Sequence, residues 1–196
     1  MSAWVAIDPA PLPGDVWLMR RIQDVGGTRR AAEIINALGS WRLVPLAVAA
    51  GLGLWTASHH GQARPSRLIL VFVVAAALTF WSELLKEIVR SPRPSTAYGV
   101  DVDYVRGSYG FPSGHVYGDV VVYGLMAVLA PLYLPRALVA PVRAVLVAVV
   151  VLSGPARVVV GAHWPGDTVG GYLWGGAVLC LMVSVERGLQ GRARSA

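Results

Sequence analysis

Apolar residues along this chain fall into long runs, separated by short segments that gather most of the charge. Residues 43–63 contain no Asp, Glu, Lys or Arg, and a stretch of about 20 apolar residues is what a helix needs to cross a hydrocarbon core. Residues 68–85 (LILVFVVAAALTFWSELL) make a second run, with Trp81 placed as an interfacial anchor and Lys86 closing it. A third covers residues 116–134 and is interrupted by Asp119. A fourth covers 142–160, with Arg157 in its last turn, and a fifth covers 168–185. The connections are short except for residues 90–112, whose Pro, Gly, Asp and Tyr give a loop composition and mark a candidate functional segment. The expected fold class is all-α: a polytopic membrane helix bundle of about five transmembrane helices, preceded by an N-terminal interfacial helical segment.

That preceding segment, residues 1–40, has neither the basic start nor the apolar core of a cleavable signal peptide. From Asp15 the sequence DVWLMRRIQDVGG sets Val16, Trp17, Met19 and Ile22 toward one side of a helix and Arg20, Arg21 and Asp24 toward another, as an interfacial helix would. A second short helix, TRRAAEIINALG, follows. A helical cap packed on loops is the competing reading. The expected organisation is an amphipathic segment at 1–40, a transmembrane catalytic domain at 41–187 and a basic tail at 188–196.

Composition supports the membrane reading. Of 196 residues, 55% are apolar and 14% charged, against roughly 25% charge in a soluble domain. The single Cys180 excludes an internal disulfide. A net charge of +6 raises the question of nucleic acid, but the basic residues lie early or flank apolar runs, which suits membrane lipids as partners and not nucleic acid. Oligomeric state is left open.

Ionisable groups near lipid are costly, so their clustering carries information. Lys86, Arg90 and Arg93 follow the second run, His115 and Asp119 start the third, Arg157 ends the fourth, and His163 and Asp167 precede the fifth. Counting crossings puts all of them on one membrane face. A pocket of several cations and two imidazoles suits a phosphate.

Lys86-x6-Arg93-Pro94, Pro112-Ser113-Gly114-His115 and Arg157-x5-His163-x3-Asp167 together resemble the three-part signature of the type 2 phosphatidic acid phosphatase (PAP2) superfamily. The resemblance covers about residues 41–187. Ala156 stands where the family motif carries Ser, and the first 40 residues lack a full span common in the family. The resemblance implies His163 as the nucleophile forming a phosphohistidine, Asp167 holding its far ring nitrogen, and His115 as general acid and then base. Lys86, Arg93, Ser113, Gly114 and Arg157 would bind phosphate: two guanidinium forks, a point charge, a hydroxyl and a backbone N–H at a helix start. Taken singly, each has a plainer role. The cations can be span flanks, Ser113 and Asp167 helix N-caps, and the histidines interfacial side chains; joint occurrence favours the site.

Arg90 matches no motif position and is balanced between phosphate attraction and surface. Asp119, four residues after His115, is a candidate to orient it. His59 and His60 have no carboxylate or Cys nearby and read as structural. Gly166-x3-Gly170 and Gly171-x3-Gly175 read as close helix packing. With no carboxylate cluster at metal-ligand spacing, neither metal nor cofactor is expected.

The expected activity is hydrolysis of a lipid phosphate or diphosphate, undecaprenyl diphosphate first, then phosphatidic acid or phosphatidylglycerol phosphate. The alternatives are lipid-linked phosphotransfer and a non-catalytic anion-binding or transport protein. With Lys86, Arg90, Arg93, Arg106 and Arg157 set aside as phosphate-directed, the opposite face keeps a slight basic excess. That places the motif face outside a bacterial cytoplasmic membrane. Because the family Ser would donate to phosphate, Ala156→Ser is expected to raise kcat/KM unless Ser153, Tyr104 or Tyr109 already supplies the donor.

Overall fold

The computed structural model describes residues 11–40, 81–103, 107–132 and 134–195. Within them the chain is all-helical: α1 (Asp15–Gln23), α2 (Arg29–Ser40), α3 (Trp81–Val89), α4 (Gly114–Leu129), α5 (Arg136–Val159) and α6 (Pro165–Ser195). The first apolar run, His59, His60, Tyr104 and Arg106 lie outside the described residues, and the second run is described from Trp81 onward.

Helix α4 is apolar on nearly all sides, which dictates a central position. Tyr117, Val121, Val122, Leu125 and Leu129 form its buried cluster, covered by Trp174, Val178, Leu179 and Met182 of α6. The two backbones approach closely because α6 offers glycines there. A Cβ on Gly171 would stand 2.8 Å from the Ser113 carbonyl, and one on Gly175 2.9 Å from that of Tyr117. The Gly171-x3-Gly175 spacing is therefore close helix packing, whereas a Cβ on Gly166 would meet Leu12 and Asp15 and one on Gly170 the Phe111 ring.

Helices α5 and α6 are long and apolar enough to cross a membrane, over Arg136–Val159 and Pro165–Val185. Val145 and Val151 on α5 and Leu173 and Leu181 on α6 are more than half exposed, an outer surface suited to lipid. Pro155 inside α5 has no N–H, which orphans the Val151 carbonyl. Tyr172 of α6 repairs the gap: its hydroxyl donates to Val151 O at 2.7 Å and accepts from Gly154 N at 2.9 Å. The last turn of α5, which carries Arg157, is thus held from α6.

The helix bounds differ from the expected runs: α4 is Gly114–Leu129 against 116–134, and α6 starts at Pro165 against 168. Helix α5 begins six residues before position 142, since Arg136 and Ala137 continue the helical pattern after Pro135. Helix α6 continues through the basic residues 188–195.

The N-terminal helices dock on the bundle. Met19 of α1 is fully buried with Val100, Val158 and Trp164, and Ala32 of α2 packs with Ala156, Val159, Val160 and Ala162. Trp17, expected beside Met19, faces outward at 63% exposure, with Arg21 stacked over its ring. Residues two positions apart on a helix are rotated by about 200°, so Trp17 and Met19 cannot share a face.

Candidate active site

The turn between α5 and α6 explains the Arg157-x5-His163 spacing. Gly161, at φ 70°, turns the chain out of α5, and Ala162 N and His163 N both return to the Arg157 carbonyl at 3.0 and 3.4 Å. His163 is therefore fixed directly over the last turn of α5. The x3 spacing that follows is one helical turn. It brings the Asp167 carboxylate to 3.3 Å from His163 Nδ1, while the same oxygen accepts the Trp164 N–H at 3.0 Å. Asp167 thus closes the start of α6 in capping-box fashion and holds the imidazole as well.

At the other ring nitrogen, Arg93 Nη1 donates to His163 Nε2 at 3.2 Å. Nδ1–H facing the carboxylate and a lone pair on Nε2 satisfy both contacts, which assigns the tautomer. Arg93 is itself locked: Nη1 donates to Ala162 O at 2.7 Å, Nε to Ser108 O at 2.7 Å and Nη2 to Ser108 Oγ at 3.0 Å. Burial, then the positive charges of Arg93, Lys86, Arg157 and His115, hold His163 well below the ordinary histidine pKa. Its imidazole is neutral at pH 7.

The second motif joins through the backbone. Ser113 N donates to Asp167 O at 2.9 Å, and Gly110 N to Ser91 O at 2.8 Å. A Cβ on Gly110 would come 2.7 Å from Asp167 Oδ2, so this loop must pass the carboxylate as bare backbone. Ser113 occupies the N-cap of α4 but makes no capping hydrogen bond. Its hydroxyl is fully buried with no partner among the described residues. Lys86, buried on α3, pairs with exposed Glu83 at 2.6 Å. Its ammonium lies over the first turn of α4, 3.2 Å from where a Gly114 Cβ would be. His115 is half-buried one residue further along α4.

Arg157 is buried and donates to the Asn36 carbonyl of α2 at 3.5 Å. The His163 ring is touched by Arg93 and Asp167 and lies in the field of Lys86, Arg157 and His115, while Ser113 joins through the Asp167 carbonyl and Gly114 lies under Lys86. Arg90 is not among them: it ends α3 in the left-handed region at φ 54°, exposed, with Nε on Glu87 O. The Asp119 carboxylate lies against Gly39 of α2, 2.7 Å from where a Cβ would stand. Ser153 Oγ donates to Val150 O, and the Ala156 methyl faces the apolar α2 cluster. Ser108 and Asn36 escaped the sequence reading, since neither stands in a spaced motif and each meets its arginine only through the fold.

A family model described as the PAP2 superfamily matches residues 66–189. Among solved structures the chain is similar to the first transmembrane PAP2 type phosphatidylglycerolphosphate phosphatase from Bacillus subtilis. The two share 21% sequence identity and a TM-score of 0.74, over 95% of this chain and 92% of that one. This likeness establishes the fold. Comparison with curated protein sequences gives no match.

Proposed function

This chain belongs to the PAP2 superfamily, and from that premise we propose that it is an integral membrane phosphatase acting on a lipid phosphate or diphosphate. One observation carries the reading: a buried imidazole whose Nδ1 meets a carboxylate at 3.3 Å and whose Nε2 meets a guanidinium at 3.2 Å. That is a nitrogen nucleophile stationed where phosphate oxygens would be bound.

In the proposed cycle, phosphate takes the donors of Arg93, Arg157 and Lys86, the Ser113 hydroxyl and the Gly114 N–H. His163 Nε2 attacks phosphorus as the bond to the leaving oxygen breaks, and His115 gives that oxygen its proton. Asp167 stabilises the positive charge on the phosphorylated ring. His115 then takes a proton from water, whose oxygen displaces His163 from phosphorus and releases inorganic phosphate. Lys86, Arg93 and Arg157 supply the charge that a metal would otherwise supply, so the reaction is expected to run without one.

Undecaprenyl diphosphate is the first candidate substrate by the chain's resemblance to compact bacterial members of the superfamily. The phosphatidylglycerolphosphate activity of the Bacillus protein keeps that lipid, with phosphatidic acid, as the next candidates. The basic-residue balance favours a site facing outward from a bacterial cytoplasmic membrane. Phosphate release by the purified protein from these three lipids, with and without a competing alcohol, is the test. Release from at least one is expected; product found wholly on the alcohol would make it a phosphotransferase, and none from any lipid overturns the proposal.

A further inference from the structure

Helix α6 begins with a problem that its own sequence does not solve. The N-cap position is held by Trp164, whose side chain cannot accept a hydrogen bond. Pro165 has no N–H to satisfy, and Thr168 N reaches Trp164 O at 3.2 Å. The Gly166 N–H between them needs an acceptor from elsewhere. Asp15, from the first turn of α1, provides it: Oδ1 accepts Gly166 N at 2.7 Å across 151 residues of sequence. Oδ2 accepts Leu12 N at 3.1 Å, so both carboxylate oxygens are committed and Asp15 is buried. The fit is close, since a Cβ on Gly166 would stand 2.9 Å from Asp15 Oδ2 and 2.7 Å from Leu12 Cδ1. Burial raises the Asp15 pKa while the two backbone N–H groups oppose that rise.

We propose that Asp15 is a positioning residue for the reaction, a helix cap supplied by the N-terminal segment that fixes the turn carrying His163 and Asp167. The inference rests on the phosphatase reading. Its physical content is that Asp167 sits one residue beyond the capped N–H and meets His163 through a single contact of 3.3 Å. A small rotation of the first turn of α6 would therefore turn the imidazole away from the line of attack. Misplacement by about 1 Å costs on the order of 100-fold in rate.

The experiment compares full-length wild type, Asp15→Asn and Asp15→Ala in detergent, using whichever of the three lipids wild type hydrolyses fastest. Asp15→Ala should lower kcat about 10- to 100-fold with KM within about twofold, because phosphate ligands stay while the nucleophile drifts. Asp15→Asn keeps an oxygen for Gly166 and should lose less than about fivefold. The Tm increase produced by vanadate, which takes up the geometry of the transferring phosphoryl group, should shrink in the same order. If Asp15→Ala does not fold, Gly166→Ala presses on the same contact from the other side and should show the same kcat loss.

A merely structural tether would lower Tm and leave kcat per folded molecule unchanged, and that result with an active wild type overturns the inference alone. Wild type that neither turns over any of the lipids nor gains Tm with vanadate defeats the phosphatase reading and this one together.

Discussion

The two halves of the site are built differently. On the α5–α6 turn, His163 is gripped at both ring nitrogens, Asp167 serves two donors, and Arg93 is held by Ser108 and Ala162. On the α3–α4 side, the buried Ser113 hydroxyl has no partner among the described residues, and the Lys86 ammonium is held by the exposed Glu83 carboxylate. The first half is organised before anything binds. In the proposed cycle the second carries bonding capacity that an incoming phosphate would claim, with the exposed Glu83 carboxylate giving way to it. Groups that must react in a fixed line belong to the rigid half, and groups that must accept a ligand belong to the adaptable one.

The largest effect should come from destroying the rigid half. His163→Ala removes the proposed nucleophile and should lower kcat by about 10³-fold or more, with the protein still folded in detergent. Retention of more than a few per cent of the wild-type rate would falsify the nucleophile assignment. Arg93→Lys should cost roughly 100-fold, because an ammonium cannot reproduce a fork that meets Ser108, Ala162 and His163 together. Loss confined to KM would move Arg93 into the adaptable half.

On the other side, His115→Ala should depend on the leaving group: severe for an alkyl phosphate, about tenfold or less for an aryl phosphate whose oxygen needs little protonation. Equal losses on both esters would remove the general-acid role. Acidity separates the halves again. Because His163 titrates below its ordinary value of about 6.5, the neutral, attacking form persists to lower pH, and the acid limb of kcat/KM should lie below that value. Lys86→Met removes one repelling cation and should move the limb upward in the residual activity. The same shift makes stability fall as pH drops below about 6.5, since the unfolded chain binds a proton that the folded site refuses.

The α5–α6 part of the rigid half stood in the sequence as a spacing that the family resemblance singled out, and a helix end and a helix start convert x5 and x3 directly into contacts. Arg157, His163 and Asp167 are close in sequence and only one turn separates their elements. The apolar runs that became α4, α5 and α6 were equally legible, since lipid and core impose long uninterrupted stretches. What escaped were groups that act across the fold. Asn36 reaches Arg157 over 121 residues and Asp15 reaches Gly166 over 151; neither carries a periodic signal, because each makes one contact fixed by the docking of α1 and α2. Trp17 was misplaced for another reason: four apolar residues within eight were assigned to one face, and the helical rotation allows only some of them.

The smallest expected effect is at Ala156, where the family pattern has Ser. Sequence reasoning treats this as a missing phosphate donor, worth roughly 1.5 to 3 kcal/mol for a charge-assisted hydrogen bond, so that Ala156→Ser would raise kcat/KM. The structure reverses the expectation. Ala156 is buried in the apolar cluster of Ala32, Val159, Val160 and Ala162, and its carbonyl already accepts from Asn36 Nδ2 at 3.3 Å. A hydroxyl there enters the apolar α2–α5 contact, where an i−4 backbone carbonyl is its ready acceptor. Ala156→Ser should therefore leave kcat/KM within about twofold and lower Tm slightly, as a small buried polar insertion does. A gain of about tenfold on the same lipid would show that the hydroxyl reaches phosphate, and that the α2 docking yields when substrate binds.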